Sequence, residues 1–311
     1  MVPAPRTGEL TAHGSAGDGA EVGVRLAEGI AERVGSAREA RWIVEHTGGD
    51  PGWSRQLADR RAVGEPLQYV LGRWPFRTLD LAVDPRVLIP RPETEQVVEV
   101  ALTELAALGR PAARPSGGDG GASPSVAGPI AVDLGTGSGA IALSLAVEGA
   151  AHAPGLVVWA TDRSADALAV AADNLESVAR LQPDAADRVR LSEGSWFDAL
   201  PPEMVGTVDL VVSNPPYVAE ADFAGLDPTV RRWEPRGALV APDSHGLGGM
   251  GDIESVVDGA ARWLRSGGVL VVEIDPSQAE ATRAAAGRVG FTTSRTEKDL
   301  AGRVRMVVAC R

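Results

Sequence analysis

Ile130-Ala131-Val132-Asp133-Leu134-Gly135-Thr136-Gly137-Ser138-Gly139-Ala140 is the stretch whose reading decides the fold. An apolar strand runs into a glycine turn, and the turn opens a helix over Ala140–Glu148. Glycines let the backbone turn tightly and approach a ligand closely, while the amino terminus of the helix offers unpaired N–H groups. By itself the loop leaves the ligand open. Gly135, Gly137 and Ala140 also satisfy a relaxed dinucleotide pattern, and a plain strand-to-helix turn uses the same residues.

Downstream, the alternation continues. Apolar strands are expected at Leu156–Thr161, Val189–Leu191, Val208–Ser213 and Val269–Ile274, with helices at Ser164–Ala179, Ile253–Leu264 and Pro276–Arg288. Continuous apolar strands alternating with amphipathic helices predict a parallel sheet covered on both faces. Phe291–Thr296 and Val304–Ala309 flank a turn at Gly302 and read as a terminal antiparallel hairpin.

Upstream, the pattern is different. Residues 1–20 are rich in Gly, Ala, Pro and Thr and are expected to be a disordered tail. Residues 21–65 read as a small helical domain with helices at Glu21–Gly35, Ala37–His46 and Trp53–Ala62, the second ended by Gly48-Gly49-Asp50-Pro51-Gly52. Residues 66–92 read as a β-hairpin connector, with strands at Gln68–Leu71 and Phe76–Val83. Helix Glu93–Leu108 opens the domain that occupies 93–311, and 109–128 reads as a flexible insertion of Pro, Gly, Ala, Ser and Arg.

Composition narrows the function classes. The net charge is −12, with 42 acidic and 30 basic residues, and a protein that grips duplex phosphate normally shows a basic face. Nucleic acid is therefore disfavoured as a partner. No run approaches the roughly 20 apolar residues needed to span a bilayer, and Met1–Ala20 has no signal-peptide pattern. The single cysteine, Cys310, excludes an internal disulfide, and four scattered histidines show no ligand spacing. A cytoplasmic protein without membrane anchor or metal is expected.

Two further features carry chemistry. Asp162 ends the second strand, where a carboxylate can accept from both hydroxyls of a bound ribose or simply cap the helix that follows. Ser213-Asn214-Pro215-Pro216-Tyr217 ends the fourth strand, at the rim where open α/β sheets bind ligands. Two prolines remove two N–H donors and leave carbonyl acceptors, Asn214 adds another, and Tyr217 supplies a flat face. Such a site suits a planar –NH2 group, which presents two donors and a π-face.

From about Gly64 to Arg311 the chain resembles the bacterial peptide chain release factor glutamine N5-methyltransferases. The resemblance is carried by Gly64-Glu65-Pro66, Leu88-Ile89-Pro90-Arg91-Pro92-Glu93-Thr94-Glu95, the glycine loop, Asn214–Tyr217, Glu234-Pro235 with Ala238-Leu239, and Lys298-Asp299-Leu300-Ala301-Gly302-Arg303. Asn-Pro-Pro-Tyr is shared with adenine-N6 methyltransferases, whereas the Arg91–Glu95 block is more particular to this family. The resemblance implies a Rossmann-like class I methyltransferase with a mostly parallel seven-stranded sheet, preceded by a small helical domain and a β-hairpin. Its implied reaction is methylation by S-adenosyl-L-methionine of the glutamine amide nitrogen in the Gly-Gly-Gln loop of class I release factors.

Carried over residue by residue, Gly135, Thr136, Gly137, Ser138, Gly139, Asp162 and Trp196 would hold the cofactor, although Trp196 also reads as an ordinary core aromatic. Asn214 would touch cofactor and substrate, with Pro215, Pro216 and Tyr217 completing the amide pocket; Asn214, Pro215 and Tyr217 are the catalytic candidates. With Asn214 read as an acceptor, aspartate there is expected to be tolerated better than alanine. The helical domain is shorter than the family pattern, with 17 residues between His46 and Gly64 where a further helix is expected. Competing readings are a ribosomal-protein glutamine methyltransferase, an adenine-N6 methyltransferase on nucleic acid, a non-catalytic binding module and, last, an NAD-dependent reductase.

Overall fold

A computed structural model describes residues 16–108 and 128–311 of the chain, with side chains described from residue 23. The expected insertion at 109–128 lies, apart from Gly128, outside the described residues, as does most of the expected tail. The chain divides into two compact units at Leu71 and Gly72.

The first unit holds four helices: α1 (Ala16–Val34), α2 (Ala37–His46), α3 (Pro51–Ala62) and α4 (Leu67–Leu71). Residues 16–20 thus belong to α1 rather than to a tail, because lengthening an existing helix gains a hydrogen bond per residue without a new nucleation cost. Ser36 and Asp50 cap α2 and α3, each side chain accepting a backbone N–H three residues on. Ile30, Ala40, Ile43, Leu57, Leu67 and Val70 form one buried cluster.

Gln68–Leu71, read as a strand, is helical. Leu67, Val70 and Leu71 recur at helical spacing and pack on that cluster. The Arg60 guanidinium then satisfies two of the last carbonyls, donating to Tyr69 O at 3.0 Å and Val70 O at 3.3 Å. Between His46 and Gly64 the described residues hold α3 and no further helix, and α4 follows shortly after that interval.

In the second unit the hairpin is formed by β1 (Arg73–Phe76) and β2 (Leu79–Ala82), tighter than the expected Phe76–Val83 strand. The chain reverses at Arg77, which has φ 50° and whose side chain is held by Glu148 at 2.7 and 2.8 Å. Helix α5 (Pro92–Leu108) leads to β3 (Ile130–Leu134) and α6 (Ala140–Glu148), followed by β4 (Val157–Asp162), α7 (Ala165–Leu181) and a short α8 (Pro183–Ala186). Then come β5 (Val189–Glu193), β6 (Val208–Ser213), α9 (Pro228–Trp233), α10 (Gly251–Trp263), β7 (Leu264–Glu273), α11 (Ala279–Arg288), β8 (Thr293–Lys298) and β9 (Val304–Cys310).

The seven-stranded sheet has the order β5-β4-β3-β6-β7-β9-β8, parallel except for β9, which is antiparallel to both neighbours. Both faces are buried, as the apolar runs predict. Along β6, Leu210 and Val212 join one core with Val97, Leu105, Leu143 and Leu145, while Val211 joins the other with Ile253, Val257 and Phe197. From β3 the chain winds outward through β4 and β5, then returns to β6 on the opposite side of β3. The crevice at the carboxyl ends of β3 and β6 is therefore the topological switch point, where sheets of this kind bind ligands.

Candidate active site

Strand register brings the two chemical motifs together. Leu134 pairs with Ser213, so the glycine loop and the Asn-Pro-Pro-Tyr segment leave the sheet side by side. Ser213 Oγ donates to Leu134 O at 2.7 Å and ties the two ends.

Gly135, Gly137 and Gly139 have φ of 73°, 54° and 85°, which side chains other than glycine rarely adopt. A Cβ at Gly137 would meet nothing within 4 Å, because the adjoining space is a cleft lined also by Gly135, Asp162, Trp196 and Asn214. Thr136, Ser138 and Gly139 do not line this cleft and support the turn from behind. Thr136 Oγ1 donates to buried Asp133 at 2.6 Å, and the Ser138 carbonyl accepts from Asn174 at 2.9 Å. Burial pushes the Asp133 carboxyl up to about 7 against the opposing hydrogen bonds from Thr136 and the Ala142 N–H.

Asp162 performs a local task as well as facing the cleft. One carboxylate oxygen accepts the Gly137 N–H and the other the Ser164 N–H, both at 2.9 Å. Each oxygen retains a lone-pair direction for a ligand donor. Trp196 has φ 49°, a conformation costly for an aromatic residue, and its ring packs beside Gly135. A strained aromatic, a glycine cradle and a carboxylate around one cleft fit a nucleoside.

A second cavity is lined by Asn214, Pro215, Tyr217, Arg91, Leu226, Val230 and Arg305 among others. Pro216 faces the first cleft instead. Burial, then the nearby Glu273 charge, pushes the Tyr217 hydroxyl up to about 12, so it stays a neutral donor at physiological pH. The Tyr217 carbonyl accepts from Gln278 at 3.0 Å.

Asn214 lines both cavities. Its Nδ2 donates to Thr94 Oγ1 at 3.2 Å, and Thr94 Oγ1 donates to Glu273 Oε2 at 2.8 Å. Thr94 and Glu273 are both buried and escaped the sequence reading. Thr94 lay inside the quoted Arg91–Glu95 block without a role, and a carboxylate closing the apolar strand before Ile274 was the other available signal. The same block is anchored by Arg91, paired with Glu234 at 2.5 Å, and by the Ile89 N–H, which donates to the same carboxylate. Arg303 reaches Glu93 at 2.8 Å, so the segments noted around Arg91, Glu234 and Asp299 converge on one rim.

Residues 125–226 match the methyltransferase small domain family. The release factor glutamine methyltransferase of Bifidobacterium longum is 38% identical over 257 residues, covering 82% of this chain and 79% of the relative. That of Bordetella pertussis is 40% identical over 280 residues, covering 88% and 89%. The chain belongs to the release factor glutamine methyltransferase family. Another member, from Salmonella typhimurium, is 38% identical over 255 residues, covering 81% of this chain and 79% of its own. Among the described residues, no helix is long and apolar enough to cross a membrane.

Proposed function

We propose that this protein methylates the side-chain amide nitrogen of a glutamine in a peptide chain release factor, using S-adenosyl-L-methionine. Family membership supports the reaction and acceptor class. The observation that carries the site reading is that Asn214 lines both cavities while its amide nitrogen is engaged by Thr94, which leaves its carbonyl oxygen for an incoming N–H.

The cofactor, when bound, supplies a methyl group on a sulfonium, an electrophile that needs no metal. Gly135 and Gly137 would give it backbone approach, Asp162 would accept from its ribose, and Trp196 would flank its adenine. A glutamine amide is a poor nucleophile because its nitrogen lone pair is delocalised, so positioning is the main task, worth up to ~7–11 kcal/mol. The Asn214 carbonyl and the Pro215 carbonyl would take the two amide N–H bonds and stabilise positive charge developing on nitrogen, one of those protons leaving to water once the nitrogen–methyl bond has formed. Tyr217 bounds the acceptor side with an apolar ring. The domain limits follow the same reading: a helical unit accompanies a methyltransferase unit that carries both ligand sites, and the protein works in the cytoplasm where release factors act.

The test is methyl transfer to purified release factor, ribosomal proteins and an oligonucleotide, with mass spectrometry of the labelled peptide. A single methyl on the glutamine of the Gly-Gly-Gln loop is expected. Label only on a ribosomal protein or on adenine would replace this function with one of the other readings.

A further inference from the structure

We propose that Thr94 and Glu273 are positioning residues that fix which way the Asn214 amide faces, through a hydrogen-bond relay of defined direction. The relay rests on the acceptor role proposed for Asn214 and adds a cause for it. An asparagine amide can rotate by half a turn and exchange its acceptor for a donor, with little change in shape. At this position the exchange would be fatal to the reaction. It would aim two N–H groups at a nitrogen gaining positive charge.

The direction follows from what each group can give. A carboxylate has no proton, so ionised Glu273 accepts from Thr94 Oγ1 at 2.8 Å. The hydroxyl proton is thereby used, and Thr94 offers only lone pairs to its other neighbour. The group 3.2 Å away on Asn214 must then be the –NH2, which turns the carbonyl towards the cavity. The relay is sheltered, with Thr94 and Glu273 both buried, so water does not compete for these hydrogen bonds. Glu273 comes from the end of β7, Thr94 from the first turn of α5, and Asn214 from the end of β6. Three elements therefore have to dock before the amide is set.

Protonated Glu273 would lose this control. Its carboxyl proton could point to Thr94, freeing the hydroxyl to donate to Asn214 and admitting the rotated amide. The groups facing Glu273 are Arg305 on β9, Arg91 and Glu93 at the start of α5, and Tyr217 after β6. Burial outweighs the Thr94 hydrogen bond and the two arginines, and holds the Glu273 carboxyl at about 7. The ionised, orienting form is gained as pH rises through that value. Turnover should rise with it.

The experiment compares full-length wild type with Thr94→Val, Thr94→Ser and Glu273→Gln. It measures single-turnover methylation of the glutamine acceptor at saturating cofactor, affinity for S-adenosylhomocysteine, and the pH profile. Thr94→Val keeps the shape and removes the hydroxyl, so its rate should fall roughly 30-fold or more with cofactor affinity within about threefold of wild type. Thr94→Ser restores the hydroxyl and should recover to within about fivefold. Glu273→Gln can accept or donate, so it should be slower and should lose the rise in rate between about pH 6 and pH 8. A Thr94→Val rate within about threefold of wild type, or a serine variant as slow as the valine one, overturns the relay. If Thr94→Val does not fold, the glutamine variant decides: an unchanged pH limb overturns the proposal, and a lost limb supports it. A wild-type protein that methylates no glutamine acceptor removes the proposed function and the relay together, whereas active wild type with active Thr94→Val removes the relay alone.

Discussion

Asp162 holds Gly137: its carboxylate accepts the glycine N–H at 2.9 Å across the mouth of the cofactor cleft. The residue proposed to accept from the ribose also braces the loop that shapes the cleft. Asp162→Ala should therefore lose more cofactor affinity than a missing ribose contact alone, roughly 30- to 300-fold. Asp162→Asn keeps one acceptor and should fall between alanine and wild type. Calorimetric titration with S-adenosylhomocysteine checks this. An alanine variant that binds within about threefold of wild type would reduce Asp162 to a helix cap.

Asn214→Asp should be as inactive as Asn214→Ala, each losing roughly 100-fold or more in turnover. The sequence alone suggested that aspartate would be the milder change. That expectation treated Asn214 purely as an acceptor, yet its Nδ2 donates to Thr94. An aspartate would set a second carboxylate against a hydroxyl whose proton already goes to Glu273. Both variants should bind S-adenosylhomocysteine within a few-fold of wild type, and a rate for Asn214→Asp of roughly a tenth of wild type would show that the donor side is dispensable.

Gly249→Ala should damage the acceptor side selectively. A Cβ there would lie 2.2 Å from the Tyr217 carbonyl oxygen, and the backbone has φ 70°. Tyr217 or the Gly249 loop must move, at a cost of about 1–3 kcal/mol in stability. Turnover should fall while cofactor affinity holds. Loss of cofactor binding instead would place the strain in the other cleft.

The Arg91–Glu234 pair should show a clear order of damage in urea unfolding. Glu234 is nearly inaccessible, with 2% of its side chain exposed against 33% for Arg91. Arg91→Ala leaves that carboxylate without its cation and should cost about 3 kcal/mol. Adding Glu234→Gln should recover part of the loss, since glutamine can still accept the Ile89 N–H. A double variant less stable than Arg91→Ala would contradict the stranded-charge account.

Stability should fall as pH rises from about 5 to about 8. Burial raises both Asp133 and Glu273 to about 7 in the folded state, whereas both ionise near 4 when unfolded. Through this window the folded protein holds protons that the unfolded chain has released. The stabilising contribution is complete below the unfolded value and is lost as pH passes the folded one. Asp133→Asn and Glu273→Gln should each flatten the pH dependence of the urea midpoint, and an equally steep profile in both would exclude these two groups as its source.

How much of this was legible depended on range along the chain. The sheet was, because strands buried on both faces read as apolar runs and helices such as α3 and α7 start at a side-chain cap. The hairpin was only half legible: Gln68–Leu71 and Arg73–Phe76 have similar β-forming composition, and only packing on Ile43 and Leu57 makes the first a helix. Asn214 and the glycine loop were visible as contiguous motifs. Thr94 and Glu273 were not, since they stand 179 residues apart and meet only when α5 docks on β7. Composition at either position says nothing of the other.

Leu88, Asn214 and Ala238 line both cavities, while the remaining wall residues named here belong to one or the other. That division has an evolutionary consequence. On the proposed assignment of donor and acceptor, Leu226 and Val230 border the acceptor chamber alone, so substitutions there would alter partner fit and leave the donor chamber untouched. Asn214 has no such latitude: a substitution there would meet both ligands at once, which makes the partner far easier to change than the methyl donor.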